Sequence, residues 1–242
     1  MTMSSQPLYR QLEQRPYPAY QHMDIASIQW LIENAKPQRT PIQSVVPHYI
    51  AFPLNDLLLK RSWFVKPELA LGIHGIRHLI RVALYAWIIV QEQSLSESLD
   101  KKELSDFMQV ALLHDVRRVD DNADLDHGHR SADWIKQHLP NIPTLIVSAV
   151  EYHVDDAMPS NIPAKTASML KILKAADALD RFRLPKIKWW PDPARIPLPI
   201  NNELLEFCKY VTLSTEQITC ESDSFEQVKD MMAVWLRQEK LI

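Results

Sequence analysis

The chain has 242 residues, of which 46% are hydrophobic and 24% charged, and its formal net charge is −3. This length allows a substantial core in one domain with elaborations, or in two domains. The small negative charge excludes a general electrostatic attraction to nucleic acid.

Prolines interrupt the first part of the chain, residues 1–69, which we predict to be an arm or cap. They leave room for one clear helix, about Asp24 to Ala35, with Asp24 as its N-cap. The aromatic residues of the arm are expected to pack against the helical core, with a lid over a functional site as the alternative. They include Tyr17, Tyr20, Trp30, Tyr49, Phe52, Trp63 and Phe64.

Residues 70–183 are predicted to form the core, with one helix after another from about Gly75 to Asp180. Residues 184–242 begin rich in proline and then predict two helices that pack on the core, near Glu203 to Leu213 and Asp223 to Glu239. The predicted fold class is therefore all-α, a helical bundle with a proline-rich N-terminal arm and a C-terminal helical extension.

Several ionisable residues in the core prolong apolar helical stripes, namely His78, His114, His153 and Asp177. Their side chains should point inward, where imidazoles and carboxylates need a partner, and one metal ion can satisfy several of them. Whether His74, four residues before His78, reaches the same place stays open. The three glycines all flank His74, His78 or His127, and we expect them where the backbone must bend. They are Gly72, Gly75 and Gly128.

The spacing of these residues resembles that of the HD-domain superfamily. Residues 78–82 are similar to the opening His-x-x-Arg-Val motif of the family, and residues 111–115 to its apolar run that ends in His-Asp. Residues 174–181 resemble the closing helix with its Asp ligand. Between them, residues 127–132 and 151–153 are similar to the extra histidine motifs of members that hold two metals. The resemblance covers about half of the chain.

The resemblance implies an all-helical scaffold around a centre for two divalent metal ions. The first ion would be held by His78, His114, Asp115 and Asp177. The second would add His127 and His153, and Asp115 would bridge the two. A set of His and carboxylate ligands suits transition metals better than Ca. We expect Fe or Mn, with Mg, Zn, Ni or Co as alternatives.

One departure from the family pattern concerns substrate binding. Arg118 stands where many HD phosphohydrolases carry a lysine, and because arginine cannot act as a base, its expected role is to bind phosphate. Arg81 or Arg117 is expected to complete the clamp. Arg181 opens a basic and aromatic stretch that would form a phosphate-binding and base-stacking wall, with a solvated surface as the alternative. Asp180, one turn after the last ligand, is expected to orient a ligand or water.

The leading hypothesis is metal-assisted hydrolysis of a phosphate ester in a small, nucleotide-like molecule, with Asp115, Arg118 and Asp180 in the catalytic machinery. The cyclic-dinucleotide branch of the family usually carries a second histidine where Val154 stands, which argues against that substrate. One alternative is a di-iron HD-type oxygenase that cleaves carbon bonds with dioxygen. The other is a module that senses a nucleotide without turning it over.

The remaining patterns concern the compartment. No apolar run approaches the roughly 20 residues of a membrane-spanning helix, and the N-terminus shows no secretory signal. The two cysteines, Cys208 and Cys220, are too few for a disulfide framework and lie outside the metal motifs. We therefore predict a cytoplasmic protein with reduced thiols, and leave its oligomeric state open.

Overall fold

The computed structural model describes residues 24–93 and 99–242. Within these ranges the chain is all-helical and has no strand, so the predicted all-α fold class is confirmed. The α-helices are α1 (Ile25–Ala35), α2 (Ile42–Val45), α3 (Ile76–Glu92), α4 (Lys101–Leu112), α5 (His127–His138), α6 (Thr144–Glu151), α7 (Ala164–Leu179), α8 (Asn202–Thr219) and α9 (Phe225–Gln238). Short 3-10 turns lie at Leu54–Asp56, Arg61–Trp63, Pro67–Leu71, Asp180–Arg183, Ile187–Trp189 and Pro193–Arg195.

Helix α3 is the centre of the molecule. It packs against α4, α7, α8 and α9, and every residue from His78 to Val90 is buried. A helix that is apolar on all sides belongs in the interior, and this one buries residues such as Leu84 and Ile88 completely. It also carries His78 and Arg81 into the core, where both side chains require polar partners.

Two of the helices begin with an N-terminal cap that is formed by nearby acidic side chains. The Asp24 carboxylate accepts a hydrogen bond of 2.8 Å from the backbone N–H of Ser27, which confirms the predicted N-cap of α1. Helix α4 begins with a capping box, in which Asp100 and Glu103 accept from each other's backbone N–H. Caps of this kind stabilise a helix by about 1 kcal/mol each.

Helix α8 extends beyond the predicted end at Leu213 to Thr219. Its buried stripe continues there with threonines, and their hydroxyls bond to backbone oxygens four residues earlier. Thr215 donates to Val211 over 2.8 Å, and Thr219 donates to Thr215 over 2.6 Å. These bonds satisfy the hydroxyls in the interior, so an apolar periodicity alone could not show how far the helix runs.

The described part of the N-terminal arm packs on the core. Phe52 and Phe64 are buried, and the backbone N–H of Phe52 donates to the oxygen of Leu241 over 2.8 Å. The Tyr49 hydroxyl donates to the same Leu241 oxygen, also over 2.8 Å. Core packing is thereby confirmed for these aromatics, while Tyr17 and Tyr20 lie outside the described residues.

No helix among residues 24–93 and 99–242 is both long enough and apolar enough to cross a membrane. Cys208 and Cys220 are both free thiols. The division of the chain at residues 69 and 183 stays a prediction.

Candidate metal centre

Six of the predicted residues meet at one place, and we call them the His–Asp cluster. His78 lies on α3, Asp177 lies near the end of α7, and His127 begins α5. His114 and Asp115 lie in the turn after α4, and His153 lies in the turn after α6. The members of the cluster are therefore His78, His114, Asp115, His127, His153 and Asp177. The sequence placed His114 and His153 on helical stripes, but α4 ends at Leu112 and α6 at Glu151, so both residues follow their helices.

The same kind of local hydrogen bond orients three of the cluster histidines. The ring Nδ1 of His114 and of His153 lies 2.9 and 2.7 Å from the backbone oxygen three residues earlier. His127 makes the same contact with Asp124. Because a carbonyl oxygen only accepts, Nδ1 carries the proton, and Nε2 faces the cluster with its lone pair. Metal-binding histidines in proteins are oriented in this way.

The Nε2 atoms of the cluster meet in two pairs. Those of His78 and His114 are 3.1 Å apart, and those of His127 and His153 are 3.0 Å apart. Unprotonated ring nitrogens accept hydrogen bonds but donate none, so each pair needs a cation or a proton between its members. Burial lowers the pKa of His114 to about 3, which keeps this ring neutral at physiological pH.

Asp115 lies between the two pairs and is 4% exposed. Its Oδ1 is 2.7 Å from His127 Nε2, and its Oδ2 is 3.6 Å from His78 Nε2. Burial raises the pKa of this carboxyl, but the imidazoles of His114 and His127 outweigh burial and hold the pKa well below its usual range. Oδ1 is nevertheless left without a hydrogen bond of acceptable geometry. An ionised, buried oxygen in this state calls for a cation.

Two groups in the described part of the chain could hold a metal ion, and they share Asp115. The first group is His78, His114 and Asp115, and the second group is Asp115, His127 and His153. Burial lowers the pKa of His127, but Asp115 outweighs burial and raises it. A proton and a metal ion would therefore compete for His127 Nε2. Asp177 Oδ1 lies 3.5 Å from His78 Nε2, at the border of the first group.

Asp180 contacts His78, the fourth histidine of the cluster. Its Oδ2 lies 2.8 Å from His78 Nδ1, and its Oδ1 accepts from Arg81 Nε. Burial raises the pKa of Asp180, but the Arg81 guanidinium outweighs burial and lowers it, so the carboxylate is ionised. Asp180 therefore orients His78 with its Nε2 towards Asp115, which is the kind of role that the sequence predicted for it.

Arg81 was predicted to bind phosphate, but its side chain does not reach the place where a substrate would bind. Its side chain is completely buried, and it donates to Asp180, to Glu216 over 2.8 Å and to Thr215 over 3.1 Å. Both carboxylates neutralise it inside the core, so it is not a phosphate ligand. Arg117 also points elsewhere, since its guanidinium donates to the backbone oxygen of Trp63 over 2.7 Å. This geometry corrects the prediction that Arg81 or Arg117 binds phosphate together with Arg118.

Replacing Asp180 by asparagine is expected to lower the affinity of the cluster for metal by about ten- to a hundredfold. The amide cannot hold His78 Nδ1–H as strongly, and it leaves Arg81 with one carboxylate. We expect the free energy of unfolding to fall by about 3 kcal/mol. Glu216→Gln is the matched control, because Glu216 neutralises Arg81 without touching His78. Metal titration and denaturant unfolding should show both variants destabilised but only Asp180→Asn weakened in metal binding; equal losses of metal affinity would contradict the assignment.

A cavity of about 460 Å³ opens onto the His–Asp cluster, and we call it the cluster cavity. Asp115, His127, His153 and Asp177 of the cluster line it. Side chains of the surrounding wall include His74, Arg118, Arg181, Arg183, Leu184 and Trp189. The structure therefore brings two of the predicted phosphate ligands, Arg118 and Arg181, to the cavity. Neither Arg81 nor Arg117 is among the described residues that line it.

Arg183 is a wall residue that belongs to the basic stretch for which the sequence left open a phosphate-binding wall or a solvated surface. Its side chain is about nine-tenths buried, and its Nε donates to the backbone oxygen of Ile73 over 2.9 Å. Nη1 lies 3.5 Å from Asp180 Oδ2 but makes no hydrogen bond. A buried guanidinium with an unused N–H beside a cavity suits an anionic ligand. The basic stretch that begins at Arg181 was the available signal in the sequence.

His74, which the sequence left open, also reaches the cluster cavity. Its Nδ1 lies 3.1 Å from Asp121 Oδ1, and its ring packs edge-on against His78 with centroids 5.6 Å apart. Burial lowers the pKa of His74 to about 4, so the ring is neutral at physiological pH. The acidic loop that contains Asp121 and Asp124 thus supports two histidines of the site.

The glycines combine bends with close packing. The backbone bends at Gly72 and Gly75, as expected, although none of the chain's glycines has a positive φ. A Cβ on Gly128 would lie 2.9 Å from the oxygen of Val150 and 3.2 Å from His153 Nδ1. Glycine at this position lets the start of α5 approach the end of α6 and brings His127 towards His153.

Comparisons with protein-family models, with curated proteins and with solved structures find no match for this chain. The assignment of a family and of an activity therefore depends on the residues of the cluster and of its cavity. The chemistry of these residues is that of a buried centre that could hold metal, open to a cavity lined with arginines.

Proposed function

We propose that this protein is a metal-dependent phosphohydrolase of the HD-domain type, acting on a small phosphorylated molecule. The observation that carries the proposal is the pairing of Nε2 atoms at 3.0 and 3.1 Å around Asp115. Each ring is oriented by its Nδ1, and the buried Asp115 Oδ1 lacks a hydrogen bond. Imidazoles and carboxylates in this arrangement suit a divalent transition metal.

The His–Asp cluster supplies ligands for two ions that share Asp115, and Fe or Mn fits its mixture of nitrogen and oxygen donors. His78, His114, Asp115 and Asp177 would hold one ion, and Asp115, His127 and His153 the other. Bound there, divalent ions lower the pKa of a coordinated water from about 15.7 towards about 7 and neutralise charge on phosphoryl oxygens.

The wall of the cluster cavity supports a phosphorylated substrate. Arg118, Arg181 and Arg183 line the same space as Asp115 and Asp177, and guanidinium groups bind phosphate through paired N–H donors. Arg181 is held at the wall because its Nε donates to the backbone oxygen of Trp189 over 2.7 Å. The Trp189 ring adds an aromatic surface to the cavity, which suits the base of a nucleotide-like molecule.

The first experiment is a screen of phosphorylated metabolites, nucleotides among them, with protein purified anaerobically and analysed for its metals. We expect phosphate release that requires Fe or Mn and stops when a chelator removes the metal. Oxygen uptake in the presence of Fe(II) without phosphate release would instead indicate the di-iron oxygenase. Nucleotide binding without either reaction would indicate the sensor. Each outcome other than phosphate release contradicts the proposal.

Arg183→Ala tests the role of the wall in substrate binding. Loss of a buried, charge-assisted contact should cost about 1.5–3 kcal/mol, or roughly ten- to a hundredfold in kcat/KM. Metal content should stay normal, and Arg183→Lys should recover only part of the loss because an ammonium lacks the planar fork. Arg195→Ala is the control, since Arg195 is 87% exposed and does not line the cavity. Full activity in Arg183→Ala would remove Arg183 from the substrate site.

A further inference from the structure

The guanidinium of Arg118 lies against the second group of the His–Asp cluster. Its Nη1 is 3.1 and 3.2 Å from the two ring nitrogens of His127 and 3.6 Å from Asp115 Oδ2. The side chain is only 10% exposed. Arg118 therefore brings a full positive charge to the residues that could hold an ion in this group.

Backbone oxygens of the acidic loop hold Arg118 there. Its Nη2 donates to the oxygen of Asn122 over 2.6 Å, and its Nε lies 3.4 Å from the oxygen of Asp120. The guanidinium offsets the negative charge of Asp115, and a metal ion in the second group would do the same. Two cations drawn to one carboxylate in a buried place repel each other, because the low local dielectric screens them poorly.

The two groups differ in this respect. Arg118 contacts an imidazole of the second group, His127, over 3.1 Å. Its contact with the first group is with the shared carboxylate, since Nη1 lies 3.6 Å from Asp115 Oδ2. The Arg118 charge would affect an ion in the first group only through Asp115, which the two groups share. The two groups should therefore differ in their affinity for the same metal.

We propose that Arg118 competes with the second metal ion and is released from His127 by the phosphate of the substrate. This inference rests on the proposed function, since it requires that the cluster binds metal. Arg118 also lines the cluster cavity, so a phosphate bound there can draw the guanidinium away from the second group. By linkage, phosphate then raises the affinity for the second ion, and the second ion raises the affinity for phosphate by the same factor. The protein thus completes its metal centre when substrate is present.

Calorimetric titration of metal-free protein with Mn²⁺ tests the competition without any assay of activity. Wild-type protein should bind one ion tightly and a second at least tenfold more weakly. Arg118→Gln should bind the second ion at least tenfold more tightly than wild type, with the first unchanged. Arg117→Gln is the matched control, because it removes the same charge from the adjacent position, where the side chain contacts Trp63. This control should behave as wild type.

A second arm uses inorganic phosphate and needs no variant. Phosphate should strengthen binding of the second Mn²⁺ to wild-type protein at least several-fold, and this effect should be lost in Arg118→Gln. Magnetic coupling between two Mn²⁺ ions, seen by electron paramagnetic resonance, reports occupancy of both groups directly.

The outcomes separate this inference from the proposed function. Equal affinity for the second ion in wild type and Arg118→Gln, or a single ion in both, would overturn the competition and leave the metal-dependent activity standing. Lack of any effect of phosphate on wild-type protein would overturn the release step. Failure of the wild-type protein to bind either Mn²⁺ or Fe²⁺ would overturn both proposals, and phosphate release in the metabolite screen would then be absent too.

Discussion

Asp115→Ala is expected to remove metal from the protein and to abolish phosphate release. Asp115 is the residue that the two candidate groups share, and its oxygens lie 2.7–3.7 Å from Nε2 of all four cluster histidines. Without this carboxylate the second group has no anionic member and the first ion keeps only Asp177, which cannot neutralise two divalent charges. Elemental analysis should find little metal, and turnover should fall to the background of the assay.

The helical scaffold should survive this substitution. Helix α3 is held by apolar burial on all sides, so far-UV circular dichroism of Asp115→Ala should match that of wild type. Asp133→Ala makes the same chemical change on α5, where the side chain is 68% exposed, and should keep full metal content and activity. Activity retained in Asp115→Ala would refute the proposed function.

His127→Ala and His153→Ala should each lower the metal content by about one ion. Both residues belong to the second group, and their Nε2 atoms lie 2.7 and 3.4 Å from Asp115 Oδ1. Activity should fall by about a hundredfold or more if the lost ion is the one that activates water. Elemental analysis and phosphate release measured on the same preparations test both expectations.

His129→Ala is the matched control for His127→Ala. The two residues are neighbours on α5, but the His129 side chain is 46% exposed and lies 3.8 Å from Glu151 instead of facing Asp115. Its removal should leave metal and activity unchanged. Unchanged metal content in both His127→Ala and His153→Ala would indicate a centre with one ion, held by the first group and Asp177.

Local signals in the sequence were sufficient for several features of the fold and of the site. Asp24 was identified as an N-cap because capping depends on residues within one turn. The all-α class followed from apolar periodicity, which reports the buried face of each helix without knowledge of its neighbours. The six cluster residues were identified from helical stripes and from the resemblance to HD-domain motifs, and the structure brings them together.

Helix ends next to the cluster could not be predicted from the same patterns. Apolar periodicity runs through Ala111 to His114, yet α4 ends at Leu112 because the His114 ring turns back to the oxygen of Ala111. A polar side chain that competes for a backbone oxygen leaves no periodic signal. The same bond between Nδ1 and a backbone oxygen orients His153 beyond the end of α6.

The sequence by itself determined the helical class, the histidines and aspartates of the cluster and the presence of arginines near them. Only the tertiary structure decided which arginine serves which purpose. Arg81 is neutralised in the core by Asp180 and by Glu216, which is 135 residues away in the chain. Arg183 lines the cluster cavity, and its buried Nη1 makes no hydrogen bond although it lies 3.5 Å from Asp180. Both are the same chemical group, and what separates them is the set of carboxylates that long-range packing brings within hydrogen-bond distance.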